Sequence, residues 1–235
     1  MKFHVIVVGS GGTGTYFLKE FSRFIAGGNS SIAKLTVIDG DTVEKKNLAR
    51  QAFTEDDIGE NKAVVMADVL NTAFDLKWES IGSYIVDIEQ FRNIVAKSSD
   101  IVPLIVGCGD NHALRLLLED YFNSVSNCIY LDSANEFSAG EVVFAYKIKD
   151  KVLSPCRSHY FPDIKNSDLK ARTEMSCEEL NSVAPQHIAT NMQAGNILLQ
   201  EVSSLMNEES HPGMVTFDIA TYYQEFTPYQ GNESA

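Results

Sequence analysis

Paired cysteines, long apolar runs and an excess of base are all missing from this chain. Its four cysteines, Cys108, Cys128, Cys156 and Cys177, are scattered over 235 residues. That spacing excludes a disulfide framework of the small secreted type. No apolar stretch is long enough to cross a bilayer. The N-terminus enters a strand-like run without a basic segment and a signal-type apolar run, so a cytoplasmic protein is expected. Lysine and arginine number 19 against 32 aspartates and glutamates, a net charge of −13. This balance argues against broad binding to nucleic acid or to an anionic membrane. It leaves room for a phosphate ligand held locally by backbone N–H groups, a few bases and a metal ion. Hydrophobic content of 44% and charged content of 22% are ordinary for a globular chain, and the length suffices for a full core.

What is present begins at Val5, where the apolar run Val5 to Val8 meets Gly9-Ser-Gly11-Gly12-Thr-Gly14. An amphipathic segment follows, with Phe17, Leu18, Phe21, Phe24 and Ile25 at helical spacing and a stop at Gly27-Gly28. Strand, glycine turn and helix N-terminus in this order suit a phosphate-binding βαβ unit. Further on, Leu35 to Ile38, Trp78 to Ile81, Ile101 to Val106, Cys128 to Leu131 and Glu141 to Ile148 read as strands. Helices are expected at Gly59 to Phe74, around Phe91 to Val95, and at Ala113 to Phe122. Pro103 blurs the start of its strand, and a turn is expected around Ala139-Gly140. The alternation predicts an α/β fold, Rossmann-like and doubly wound, with a mostly parallel sheet. One domain is expected: a nucleotide-binding core over 1–148, an irregular crossover or lid over 149–186, and a C-terminal part over 187–230. The last comprises a long helix, 187–206, and an antiparallel extension in Met214 to Phe226, which alternates near period two.

Ligands of such sheets lie at the carboxyl ends of the strands, and Gly9, Asp39, Asp41 and Asp110 all fall there. Asp39-Gly40-Asp41 could serve ribose hydroxyls or be a turn of ordinary composition. Arg50 offers a planar fork for phosphate oxygens and Lys62 a point charge near a helix start. The bland alternative is solvated surface charge. Asp110 could bind magnesium, a hard cation that prefers oxygen, or Asp110 or Asn111 could simply cap the next helix.

Taken together, the motifs resemble the E1-like activating enzymes, the superfamily of the ThiF and MoeB proteins. The matching segments are Gly-x-Gly-Gly-x-Gly; Asp39-x-Asp41-x-Val43 followed by Asn47-Leu48-x-Arg50-Gln51; Gly59-x-x-Lys62; and Asp110-Asn111 followed by Arg115. The match runs over residues 3–148 and more weakly to about Met206. In length the chain is similar to the short ThiF-type proteins of bacterial PRTRC gene clusters. The resemblance implies an adenylyltransferase that uses ATP and Mg²⁺. Its substrate would be a carboxylate, typically the C-terminal glycine of a small ubiquitin-like β-grasp protein. Gly9, Gly11, Gly12 and Gly14 would then form the turn under the nucleotide, and Asp39 and Asp41 would lie near ribose. Asn47, Arg50, Gln51 and Lys62 would hold phosphates, Asp110 would hold the metal, and Asn111 would be a further cofactor contact. A homodimer is implied as well.

Three features depart from that pattern. Met175-Ser-Cys177-Glu-Glu matches a segment whose cysteine forms a covalent intermediate in several relatives, but Glu178 and Glu179 oppose a thiolate there. Cys156-x-x-His159 falls where many relatives begin a structural zinc site. With only His211 remaining near the C-terminus, four ligands are not available, which argues against zinc. The chain also starts on its first strand, where relatives often carry an arginine-bearing helix; Arg23, Arg172 or a partner subunit is expected to substitute. Two alternatives stay open: an E1-like scaffold without catalysis, and a nicotinamide-dependent oxidoreductase, for which the glycine turn alone would suffice.

Overall fold

The computed structural model describes residues 1–165 and 187–231. Nine strands form one sheet: β1 (Lys2–Val8), β2 (Ile32–Ile38), β3 (Trp78–Ile81), β4 (Ile101–Gly107), β5 (Cys128–Asn135), β6 (Ala139–Ile148), β7 (Lys151–Ser154), β8 (Gly213–Asp218) and β9 (Tyr223–Pro228). The order across the sheet is β3-β2-β1-β4-β5-β6-β8-β9. β3 through β5 are parallel, and from β5 onward every pairing is antiparallel. β7 and β8 share one edge of β6, with β8 along 139–144 and β7 along 146–148.

Five helices bear on the site: α1 (Gly12–Ile25), α2 (Lys62–Phe74), α3 (Ile88–Ile94), α4 (His112–Ser124) and, after the single turn α5 (Arg157–Tyr160), α6 (Ile188–Met206). They cover both faces of the sheet. β1 shows why. Its Val5 and Val7 pack with Phe17, Phe21, Leu70 and Ile197 from α1, α2 and α6. Ile6 and Val8 pack with Phe91, Leu118 and Phe122 from α3 and α4. A strand buried on both faces must read as a continuous apolar run, as this one does. Pro103 is accommodated because its position in β4 pairs only with His4 of β1, and the β5 ladder starts one residue later.

Several expected boundaries move. β2 starts at Ile32, not Leu35. α2 starts at Lys62, because Asn61 accepts hydrogen bonds from the Ala63 and Val64 N–H groups. Gly59, expected inside that helix, sits in the preceding turn at φ +95°. The turn expected at Ala139-Gly140 lies earlier: both residues belong to β6, and Glu136 N–H donates to Ala139 O across the tip. Residues 151–165, expected to be irregular, hold β7, α5 and a 3-10 turn at Pro162–Lys165. Cross-strand pairing to β6 supplied the order that local composition did not advertise. Residues 166–186, with Arg172 and Cys177, lie outside the described residues.

Candidate active site

The strand order reverses between β1 and β4, so the turns that follow them diverge and leave a crevice. The first wall is the glycine turn. Gly9 has φ +97°, and a Cβ there would lie 2.9 Å from the Cys108 carbonyl. A Cβ on Gly14, in the first turn of α1, would lie 2.0 Å from Gly9 O. The turn can close only without these side chains. Side chains of Asn61, Asp87, Asn111 and His187 cap α2, α3, α4 and α6, but among the described residues no side chain caps α1. Its N-terminus faces the crevice with orphan N–H groups and the positive end of the helix dipole.

The second wall follows β2. Asp39 Oδ2 accepts from Ser10 N–H at 2.6 Å and from Ser10 Oγ at 3.0 Å, and Asp39 Oδ1 accepts from Asp41 N–H at 2.9 Å. Burial, with the neighbouring Asp41 charge, raises the Asp39 pKa above the usual carboxylate range. Lys62 is buried and pairs with Asp41 at 3.0 Å. Tyr84 donates its hydroxyl to the other Asp41 oxygen. Asn61 Nδ2 donates to the Asp39 and Asp41 carbonyls, at 2.9 and 3.0 Å, so the helix cap also holds the acidic loop.

The loop between β2 and α2 contributes three expected residues. Asn47 is buried and accepts from Glu44 N–H through Oδ1 at 2.8 Å. Gln51 is buried too, and its Oε1 has no partner among the described residues. Arg50 is half-buried and forms no ion pair among the described residues.

The third wall follows β4. Asp110 is exposed at the rim, and Asn111 Oδ1 accepts from Leu114 N–H at 2.8 Å, which makes it the cap of α4. Cys108 packs against the core and also lines the cavity, and burial pushes its thiol up to about 12. His112 lines the same wall. Its pKa is lowered by burial first and by Arg115 and Arg157 next, against a smaller opposing effect of Asp132.

Behind this wall lies a buried ionic brace. Arg115 Nη2 donates to Gly109 O at 2.8 Å and to Ser133 O at 3.2 Å, while its Nε faces Asp132 at 3.3 Å. Arg157 of α5 donates to the other Asp132 oxygen and to Glu141. Two arginines and two carboxylates thus balance their charges, with Arg115, Arg157 and Asp132 buried and Glu141 partly exposed at the cavity, and the pairing offsets the desolvation cost. The brace ties the β4–α4 turn to the tip of β5.

Gly9, Gly11, Gly12, Asp39, Asp41 and Lys62 all line one cavity of about 1680 Å³, and Asn47, Arg50, Gln51, Asp110 and Asn111 line it as well. Gly14 is buried beneath it. The volume exceeds the roughly 300–1,000 Å³ usual for one small ligand, so a second reactant has room. Sequence reading missed Tyr84, Asp132, Arg157 and Glu141. Of these only Asp132 left a trace, as a charged residue closing an apolar strand run. Arg23, named above as a candidate donor, pairs with exposed Glu20 in the last turns of α1. Cys156 is buried, and His159 packs edge-on to Tyr160 and Tyr229. Among the described residues no three His, Cys, Asp or Glu side chains gather as a metal site would require. No described helix is long and apolar enough to span a membrane.

The sequence pattern of the ThiF family matches residues 1–233. This chain belongs to the ThiF family. It is 34% identical over 122 residues to the SAMP-activating enzyme E1 of Haloferax volcanii, covering 51% of this chain and 41% of that protein. It is 29% identical over 119 residues to ubiquitin-like modifier-activating enzyme 5 of Dictyostelium discoideum, covering 47% of this chain and 30% of that protein. The matched stretch thus covers less than half of either relative. Among solved structures, E. coli MccB with AMPCPP and MccA superposes with a TM-score of 0.70 at 18% identity, covering 99% of this chain and 65% of MccB. PaaA superposes with a TM-score of 0.68 at 16% identity, covering 96% of this chain and 64% of PaaA. These likenesses agree with the Rossmann-like sheet and its antiparallel end.

Proposed function

We propose that this ThiF-family protein is an ATP-dependent adenylyltransferase that activates a carboxylate, in the first instance the C-terminal glycine of a small ubiquitin-like β-grasp protein. The observation that carries the reading is the gathering of an uncapped helix N-terminus, Arg50, Lys62 and Asp110 around one cavity with space for two reactants. The α1 N-terminus and the glycine turn would take the phosphates. Asp39 retains acceptor capacity for ribose hydroxyls beside its three hydrogen bonds. Arg50, which forms no ion pair among the described residues, would close on phosphate oxygens. Lys62 would share its ammonium between Asp41 and the nucleotide.

The acceptor carboxylate is already ionised, so no base is needed. Its oxygen bonds to the α-phosphorus as the bond from that phosphorus to the bridging oxygen breaks, and pyrophosphate leaves with the electron pair. Negative charge spreads over oxygens in the transition state, and fixed cations and N–H groups that meet it there accelerate the step. Asp110 suits a magnesium ion, which usually takes one or two protein carboxylates and completes its shell with phosphates and water. Bound there, the ion would neutralise charge on the leaving group. The homodimer implied by the family is carried with this proposal, to be checked by sedimentation.

ATP–pyrophosphate exchange in the presence of a β-grasp partner tests the reading. Exchange is expected, and Asp110→Ala is expected to lower it by about 100-fold or more. Exchange unchanged in that variant removes the metal role of Asp110. A melting temperature raised by NAD but not by ATP–Mg²⁺ would overturn the reading for an oxidoreductase. ATP binding without exchange would favour a scaffold.

A further inference from the structure

The residue that opens α4 is a histidine, and its ring lines the cavity beside Asp110. Arg115 Nη1 lies 3.4 Å from His112 Nδ1. A guanidinium has hydrogens to give and no lone pair to receive one, so Nδ1 accepts. The hydrogen of the neutral ring then sits on Nε2. Arg115 is not free to release this constraint. It is buried, and its other nitrogens are committed to Gly109 O, Ser133 O and Asp132. Asp132 is held in turn by Arg157. The brace behind the wall therefore sets which ring nitrogen carries the hydrogen.

The place of this donor is set by backbone contact. The turn that precedes His112 touches the glycine turn, since a Cβ on Gly9 would lie 2.9 Å from the Cys108 carbonyl. Phosphates resting on the start of α1 would lie beside the start of α4. We propose that His112 contacts the substrate directly, donating its Nε2 hydrogen to an oxygen of the ATP triphosphate, with Arg115 as the positioning residue that fixes the tautomer. The inference rests on the nucleotide site proposed above. No proton is transferred. The ring acts as a neutral donor, and such a bond to a charged oxygen is among the stronger hydrogen bonds available to a side chain.

Titration calorimetry on the full chain, with ATP–Mg²⁺ and with adenosine, tests this. His112→Phe keeps a ring without a donor. It is expected to weaken ATP by about tenfold or more and to leave adenosine unchanged. His112→Gln places an amide N–H near the former Nε2 and is expected to stay within about threefold of the parent for ATP. In the unliganded chain, ¹⁵N spectra recorded well above the ordinary imidazole pKa should show hydrogen on Nε2 and a bare Nδ1. Parent-like ATP binding by His112→Phe, an equal loss for adenosine, or hydrogen on Nδ1 would each overturn the proposal and leave the nucleotide site standing. A parent chain that binds no ATP would remove the site and this donor together.

Discussion

Strands β1 and β9 belong to one sheet but have opposite surroundings. β1 is buried on both faces, from Phe3 to Val8, and sits beside the point where the strand order reverses. β9 is exposed along its whole length at the far edge. Between them β8 alternates buried and half-exposed residues. The difference follows from strand direction. Parallel strands all end at the same edge of the sheet, so the turns after β1, β2 and β4 can meet at one crevice. Antiparallel neighbours end at alternate edges and cannot collect their tips in this way. The extension therefore supplies walls and bracing, through Glu141 and Arg157, while the parallel half supplies the proposed ligand-facing groups.

That division can be tested at three strengths. The largest effect is expected at Gly14, where a Cβ would meet Gly9 O at 2.0 Å. Gly14→Ala should cost about 4 kcal/mol, in the range reserved for backbone clashes, and should abolish ATP binding. Gly27→Ala, with nothing within 4 Å of the new carbon, should stay within about 0.5 kcal/mol of the parent. Urea denaturation of both variants checks the contrast.

The next effect is a dependence on pH centred in the parallel half. His4 is buried in β1, accepts from Ala96 N–H through Nδ1 at 3.0 Å, and faces Thr36 Oγ1 at 2.8 Å. Burial, aided by Lys34 and opposed by Glu79, lowers its pKa from 6.5 to about 4. Between those values the unfolded chain binds a proton that the folded chain refuses. Stability from this group is complete above about 6.5 and is lost as pH falls toward 4, by roughly 2–3 kcal/mol. Denaturation curves across that window should show the loss. His4→Gln, though less stable overall, should show a shallower slope. Equal slopes would remove His4 as the cause.

The smallest effect is expected in the extension. Phe226 is 41% exposed and stacks on Phe144 at 6.4 Å between centroids. Phe226→Ala should cost about 1 kcal/mol and leave ATP binding unchanged. A loss of ATP affinity in this variant would show that the antiparallel end does more than wall the cavity.

Much of the parallel half could be read directly. Val5 to Val8 and Ile101 to Val106 announce buried strands because a two-faced strand leaves no polar alternation to misread. β7 could not be read, since a four-residue exposed pairing gains its order from β6 and not from its own residues. The acidic loop, Arg50, Lys62 and Asp110 were visible because short motifs keep their spacing. Asn111, offered both as cap and as cofactor contact, serves at least as cap.

By itself, then, the order of residues determined the glycine turn, the apolar strands and the groups placed at their tips. Those features rest on local sterics and on periodicities of two and 3.6 residues, which need no distant partner. Only the tertiary structure decided that Asp132 would sit between Arg115 and Arg157, that Tyr84 would reach Asp41, and that His112 would present one ring nitrogen to the cavity. The pairs joined there are 3 to 43 residues apart in the chain, and the longer-range partners come from separate strands and loops. Their identities become consequential only where packing removes water and every buried charge must find a neighbour.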